Sequence, residues 1–273
     1  MTKIAISSDN HIDVNRLDLD EVLARQAEYL NEQHVDVYLI AGDMFNSFAK
    51  TLNYAERLQT ALGSETTVRF IAGNHDMGRD VTFDELESNL SPLYLHNQVL
   101  DVDDLRIIGN NGWYDYSFAS GPEKDGVAQF KRGLYFDRVI EQPMTDPERA
   151  DLSLQQLQAQ LDQAVEEGKR ALVIQHFAPH GLDLRYPDFD DRWLMVNGVM
   201  GSKRYAELYS QYSNLENVYY GHVHMTLPTR EINGVKYDNV SVGYQRARIK
   251  EWTGETFIES WINKLHYKVL TND

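Results

Sequence analysis

Residues 68–78 read VRFIAGNHDMG. Val68–Ala72 has the apolar, β-branched and aromatic character of a buried strand, and Gly73 ends it. Asn74, His75 and Asp76 then crowd a single tight turn. The same grammar occurs twice upstream. Val35–Ala41 (VDVYLIA) is an apolar run ended by Gly42, with Asp43 next, and Lys3–Ser8 is a short apolar run followed by Asp9 and His11. Between these runs, Leu19, Val22, Leu23, Ala27 and Leu30 share one helical face behind Asp18 as N-cap, and Leu52–Leu62 suggests a helix stopped by Gly63. Strands alternating with helices predict an α/β fold, with a largely parallel sheet and helices packed over it.

The middle of the chain changes character. Leu105–Gly109 (LRIIG) reads as a strand. Residues 111–150 are rich in aromatic, Gly, Pro and charged residues without clear period, which is too long for a plain connection and predicts an insertion or lid. Leu154, Leu157, Leu161 and Val165 predict a helix stopped by Gly168, then strands at Ala171–Gln175 (ALVIQ) and Val218–Tyr220. After Val235 the segments VKYDNVSV, RARIKEW, TFIESWI and KLHYKVL read as short strands forming hairpins and a second sheet. No repeat, low-complexity segment or linker interrupts the chain, so residues 1–273 are expected to form one domain.

Composition narrows the chemistry. The 273 residues carry 42 acidic and 26 basic side chains, a formal net charge of -16. Such a surface repels nucleic-acid backbones and anionic membranes unless charge is locally reversed, and bound cations are one way to reverse it. There is no cysteine, which excludes disulfides, thiolate metal sites and cysteine nucleophiles. The start, MTKIAISSD, has no basic flank followed by a long apolar stretch, and no segment approaches a membrane span. No signal peptide is expected, and a soluble cytoplasmic protein is the default.

Five predicted strand ends carry the same kind of side chain: Asp9 and His11; Asp43; Asn74, His75 and Asp76; His176; His222 and His224. Ligands in open α/β sheets bind beyond the carboxyl ends of strands. Carboxylate, imidazole and amide oxygen suit divalent manganese, iron or zinc better than calcium. Asp-x-His and His-x-His spacings put both donors on one face of an extended segment. An open site needs roughly three or four protein ligands per metal. The donors Asp9, His11, Asp43, Asn74, His176, His222 and His224 therefore suit two metals sharing one carboxylate, and Asp43, alone at its strand end, is the natural bridge. Singly, each residue is also a turn former or a hydrogen-bonded histidine; it is the ordered set that points to a site.

Asp9-x-His11, Gly42-Asp43, Gly73-Asn74-His75-Asp76, a later His176 and Gly221-His222-x-His224 resemble the calcineurin-like metallophosphoesterases, block by block and in order over residues 9–224. The resemblance implies a four-layer α-β-β-α sandwich with two facing mixed sheets. It implies that Asp9, His11, Asp43 and His224 hold one metal and that Asp43, Asn74, His176 and His222 hold the other, the ions being manganese, iron, zinc or nickel, with manganese or iron favoured. The implied activity is hydrolysis of a phosphomonoester or phosphodiester by a hydroxide bridging the two metals. His75 would lie near the leaving group, and Asp76 would orient its ring and favour its charged form, or else merely cap the turn. The sequence departs from the pattern at Asn46, where many members carry Asp.

Specificity is expected from the insertion and loops. Trp113 and Tyr114, with Tyr116, would either wall a pocket or pack the insertion on the body. Arg246 and Arg248 would either clamp a phosphate or lie on a solvated strand face. The stretch 185–204, with Trp193, Met195 and Met200, would face substrate or a partner. His34, His96, His180 and His266 receive no role. Phosphoester hydrolysis of a small-molecule or other phosphoester substrate competes with a non-catalytic interaction module on the same fold, a nuclease of the same family, and a metal hydrolase of a non-phosphate bond. Every donor is retained, which disfavours the module. The small basic clusters Lys131-Arg132 and Lys203-Arg204 disfavour nucleic acid as a partner. No feature of the sequence specifies an oligomeric state.

Overall fold

Alternation along the strands sorts the apolar side chains into separate layers of core. The computed structural model describes residues 1–119, 126–186, 191–246 and 248–271. Strands β1 (Thr2–Ser7), β2 (Val37–Ala41) and β3 (Thr67–Ile71) run parallel. Ile4, Ile6, Val37, Leu39 and Ile71 face a second sheet. Ala5, Tyr38, Ile40, Val68 and Phe70 face the opposite way, onto α1 (Leu19–Glu32) and α2 (Phe48–Leu62). A one-turn helix α3 (Phe83–Leu86) follows the third block.

The second sheet contains β4 (Gln98–Val102), β5 (Leu105–Asn110), β6 (Arg170–Gln175), β7 (Leu215–Tyr220), β8 (Arg230–Ile232) and β9 (Val235–Asn239), in the order β4-β5-β6-β7-β9-β8. Its centre is parallel and its two edges are antiparallel. Ile107, Leu172, Ile174 and Tyr219 meet the first sheet. Ile108, Val173, Val218 and Tyr220 face outward onto later helices. Helix α4 (Val127–Leu134) lies within the expected insertion, and α5 (Asp146–Glu166), α6 (Asp191–Gly198) and α7 (Lys203–Tyr209) follow. Leu154, Leu157 and Leu161 of α5 and Tyr205 and Tyr209 of α7 cover the outer face. The result is an α-β-β-α sandwich of two mixed sheets, as the resemblance implied. Strands covered on both faces need continuous apolar runs, which is why VYLIA and ALVIQ lack polar alternation.

The tail carries a correction. Residues of TFIESWI form helix α8 (Phe257–Lys264), not a strand. The Thr256 hydroxyl and the Glu259 carboxylate make a reciprocal capping box. Phe257, Ser260, Trp261 and Lys264 then fall on one buried face. The Trp261 indole N–H donates to the Tyr38 hydroxyl at 3.0 Å, tying the helix to the first sheet. The β-branched and aromatic content suggested a strand, but the cap and the helical spacing decide the structure. The neighbouring segments form β10 (Gln245–Arg246) with β11 (Ile249–Lys250), and β12 (His266–Leu270) antiparallel to β1. The insertion also ends earlier than 150, because Thr145 caps α5 and Pro147 sits in its first turn. Residues 120–125 of the insertion, 187–190 of the stretch 185–204, and Ala247 between the two arginines lie outside the described residues. Among the described residues no helix is long and apolar enough to cross a membrane.

The sheets are stitched together where the parallel strands end. Ser8 N–H donates to Val240 O at 2.9 Å and Val242 N–H donates back to Ser8 O at 2.9 Å. Ala72 N–H reaches the Asn111 side chain across the sheets at 2.9 Å, and within the second sheet Gly221 N–H reaches His176 O at 2.9 Å. These seams bring five strand ends from two sheets to one edge.

Candidate functional site

The strand-end residues converge under strain. Asp9 (φ 56°), His11 (φ 44°), Asp43 (φ 58°) and His222 (φ 65°) all adopt left-handed backbone. Each such non-glycine residue costs about 1–3 kcal/mol, a cost that persists when the surrounding contacts over-determine it and that clusters at functional sites. Two glycines make the approach possible. A Cβ at Gly73 would sit 2.1 Å from Asp43 Oδ1, and one at Gly221 would sit 2.5 Å from Asp9 Oδ2.

Three overlapping donor groups result. Asp9 Oδ1 lies 2.9 Å from His224 Nε2, and His11 Nε2 lies 3.2 Å from the same atom. Asp43 Oδ2 lies 3.8 Å from His11 Nε2 on one side and 3.3 Å from His176 Nε2 on the other. His176 Nε2 is also 3.1 Å from Asn74 Oδ1. Asp9, His11 and His224 form one group with ligand atoms all within 4.8 Å; Asp43, His176 and His222 form another, and His11, Asp43 and His75 a third between them.

Outer partners aim these donors. His176 Nδ1–H donates to Ala41 O at 2.9 Å, leaving Nε2 to point inward. His224 Nδ1–H likewise donates to Glu251 Oε2 at 2.9 Å. Asn74 Nδ2 donates to Asp137 Oδ1 at 2.7 Å, so its carbonyl oxygen faces His176. Such second-layer bonds fix tautomer and orientation in metal sites.

The donor set fits divalent cations. Asp9 and Asp43 are buried, and among the described residues histidines are their only ion-pair partners. Burial alone raises their pKa values; His224 opposite Asp9 and His176 opposite Asp43 outweigh it and hold both carboxyls below the usual range. Burial opposes charge on the two histidines as well, but Asp43 lifts His176 to about 9 and Asp9 lifts His224 to about 10. His222 is pushed down to about 3 by burial and the charge of His176. Imidazole and carboxylate atoms aimed at common points suit hard-to-borderline cations.

A model of the calcineurin-like phosphoesterase family matches residues 2–226. The chain belongs to the calcineurin-like phosphoesterases. It is thus a metal-dependent phosphoester hydrolase. Among solved structures, a dimetal phosphatase from Danio rerio is similar, at 12% identity and a TM-score of 0.54, with 88% of this chain and 87% of that one covered. TT1561 of Thermus thermophilus is similar too, at 12% identity and a TM-score of 0.54, with 89% of each chain covered. At such identity the likeness is one of fold. Comparison by sequence with curated proteins found no match.

In this phosphoesterase, His75 stands beside the donors with a different set of neighbours from those expected. Its Nδ1 lies 2.6 Å from Asn46 Oδ1, its Nε2 lies 3.2 Å from the Tyr244 hydroxyl, and its ring stacks on Phe136 at 4.1 Å. Burial, with charges on His11, His224 and His176, pushes its pKa down to about 3 against the pull of Asp43. The neutral ring is the favoured form, not the charged one.

Asp76 does not orient that ring. It is fully buried and turns away, accepting N–H bonds from Asp43 (2.6 Å), Met44 (3.1 Å), Phe45 (3.2 Å) and Gly73 (2.9 Å) and the Thr51 hydroxyl (2.5 Å). It caps the two loops that carry Asp43 and Asn74, so the turn-cap alternative holds. Burial and Asp43 push its pKa up to about 7, and the five donors pull the other way.

Trp113 and Tyr114 do not reach a pocket wall either. Both are fully buried and stacked at 4.7 Å, with the Trp113 indole donating to Asp146 at 2.8 Å and the Tyr114 hydroxyl to Asp137 at 2.9 Å. Their polar tips found carboxylates at the start of α5 (Asp146) and in the insertion (Asp137), which hold them buried. Arg246 is exposed at the mouth, its guanidinium 4.6 Å above the Tyr244 ring. His180, despite its place near His176, turns to Asp183 at 3.7 Å. Asp137, Glu251 and Tyr244 were not found from sequence. Asp137 lies in an aperiodic insertion, and the other two flank a short hairpin with no motif around them.

Proposed function

We propose that the chain holds two divalent cations and hydrolyses a small-molecule phosphomonoester or phosphodiester. Asp9, His11, Asp43 and His224 would hold one ion; Asp43, Asn74, His176 and His222 would hold the other. The observation that carries this is the shared carboxylate: Asp43 stands between two groups of nitrogen and oxygen donors on separate strand ends. When bound, such ions supply Lewis acidity toward phosphoryl oxygens and an acidic water for in-line displacement. Manganese or iron is favoured by the imidazole, carboxylate and amide donors, and zinc and nickel are accepted by them.

The chain's own residues do the rest. Asp137 keeps the Asn74 oxygen turned inward, and Ala41 O and Glu251 keep His176 and His224 turned inward. His75, fixed by Asn46 and Phe136, presents Nε2 beside the Tyr244 hydroxyl at the side of the pocket. Placed there, the neutral ring, its Nδ1–H held by Asn46 Oδ1, and the Tyr244 hydroxyl would position the leaving oxygen. Residues 111–144, the insertion as it ends before α5, are proposed as the element that sets substrate choice, since Tyr135 and Phe136 line the pocket over the donors. The test is hydrolysis of p-nitrophenyl phosphate and bis(p-nitrophenyl) phosphate by manganese-loaded protein. Turnover lost in Asp43→Asn supports the reading; inactivity on both esters, unchanged by Asp43→Asn, favours a non-catalytic platform instead.

A further inference from the structure

The pocket above the donors is about 550 Å³ and has three kinds of wall. Its floor is Asp43, Asn74, His75, His222 and His224. Its sides are aromatic and apolar, with Tyr135, Phe136, Trp193 and Tyr244 joined by Val196 and Met200. Its mouth carries two guanidiniums, Arg185 and Arg246. Arg106, Arg170, Arg204 and Arg230 each bind carboxylates. Among the described residues neither Arg185 nor Arg246 has an ion-pair partner; each lies over a ring instead, Arg185 at 6.0 Å from Trp193 and Arg246 at 4.6 Å from Tyr244. Other described arginines, Arg69 and Arg149 among them, also lack an ion-pair partner, but Arg185 and Arg246 are the two that line this pocket.

Resting on the phosphoesterase reading above, we infer that the substrate is a small phosphoester whose leaving group is a flat ring bearing a second anionic group. The aromatic walls hold the ring, and Arg185 and Arg246 hold the anion. The geometry of Tyr244 carries the argument. Its hydroxyl touches His75 at 3.2 Å, where the leaving oxygen would lie, while the face of the same ring supports Arg246. The span from leaving oxygen to guanidinium is therefore about one aromatic ring. A guanidinium stacked on a ring keeps its N–H fork free for a carboxylate or phosphate. The reacting phosphoryl group is already served by the floor, so these cations are left for another charge on the substrate. Ring faces that line a pocket select flat partners by stacking. The methionine gives the wall some adaptability in shape.

The experiment compares phenyl and 3-carboxyphenyl esters, since a meta carboxylate scarcely alters the acidity of the phenol. Calorimetric binding of phenylphosphonate and 3-carboxyphenylphosphonate to manganese-loaded protein is measured first. Turnover of the two phosphate esters follows. The carboxylated compound is expected to bind about tenfold tighter or better and to show a matching rise in kcat/KM, mostly through KM. Arg246→Met and Arg185→Met are each expected to bring that ratio toward one. Equal affinity for both compounds in the unaltered protein overturns the inference. So does an equal loss for both in the arginine variants, which would make the arginines clamps for the reacting phosphoryl group. Failure to hydrolyse both p-nitrophenyl phosphate and bis(p-nitrophenyl) phosphate would sink the phosphoesterase reading separately, while the phosphonate affinities would still decide the inference.

Discussion

Changing Asp76 to asparagine separates a scaffold from a catalyst. The substitution keeps the side-chain shape and replaces one acceptor oxygen with an N–H₂ donor. Oδ2 receives the Asp43 and Gly73 N–H groups, while Oδ1 receives those of Met44 and Phe45 and the Thr51 hydroxyl. Whichever way the amide turns, at least two backbone N–H groups lose their acceptor and face another donor. A buried donor left unsatisfied costs about 1–3 kcal/mol, so Asp76→Asn should lose about 2–6 kcal/mol. That is a large part of a typical folding free energy of about 5–15 kcal/mol. At about 2–4 °C per kcal/mol, the midpoint of thermal unfolding should fall by roughly 10 °C. The assay is urea and thermal unfolding of chelator-treated protein, alongside kcat/KM of the folded, metal-loaded fraction. Folded Asp76→Asn should retain measurable turnover. Unchanged stability together with a loss of turnover of about 10²-fold or more would refute the scaffold argument and restore a catalytic role.

Further outcomes follow from the same geometry. With pKa values near 9 and 10, His176 and His224 are protonated at pH 8 in the metal-free protein and must shed those protons before coordinating. Metal binding at pH 8 should release about two protons, read by calorimetry in buffers of different ionisation enthalpy, and affinity should rise as pH climbs toward 9–10. The sign for folding is opposite: these raised pKa values stabilise the metal-free fold fully below about pH 6.5, and that stability is lost as pH rises through 9–10. Asp137→Ala removes the partner of Asn74 Nδ2, and metal affinity should weaken by about 10–100-fold in chelator competition; an unchanged affinity would deny Asp137 its positioning role. Asn46→Asp places a carboxylate against His75 Nδ1, and the His75 pKa should rise from about 3 by roughly 1–3 units, read by NMR titration.

Much of the site was legible because its logic is local. Asp9, Asp43, Asn74, His176 and His222 each follow an apolar run that can only be a covered strand, and parallel strands deliver their ends to one edge. The tail was misread at TFIESWI because residue content favours a strand, whereas Thr256 and Glu259 make a cap that sequence spacing alone could have revealed. The outer partners were harder. Nothing in the neighbourhood of Asp137 marks it as the residue that turns Asn74, since the contact spans 63 positions between two loops. The sequence leaves Trp113 and Tyr114 between pocket wall and packing, because nothing in it says that Asp146 and Asp137 satisfy their polar tips in the interior.

The most direct test is anomalous scattering from crystals of the metal-loaded protein, collected on both sides of the metal's absorption edge. The account predicts two peaks roughly 3.5–4 Å apart, with Asp43 touching both, Asp9, His11 and His224 at one, and Asn74, His176 and His222 at the other. A single peak, or peaks away from Asp43, would contradict it.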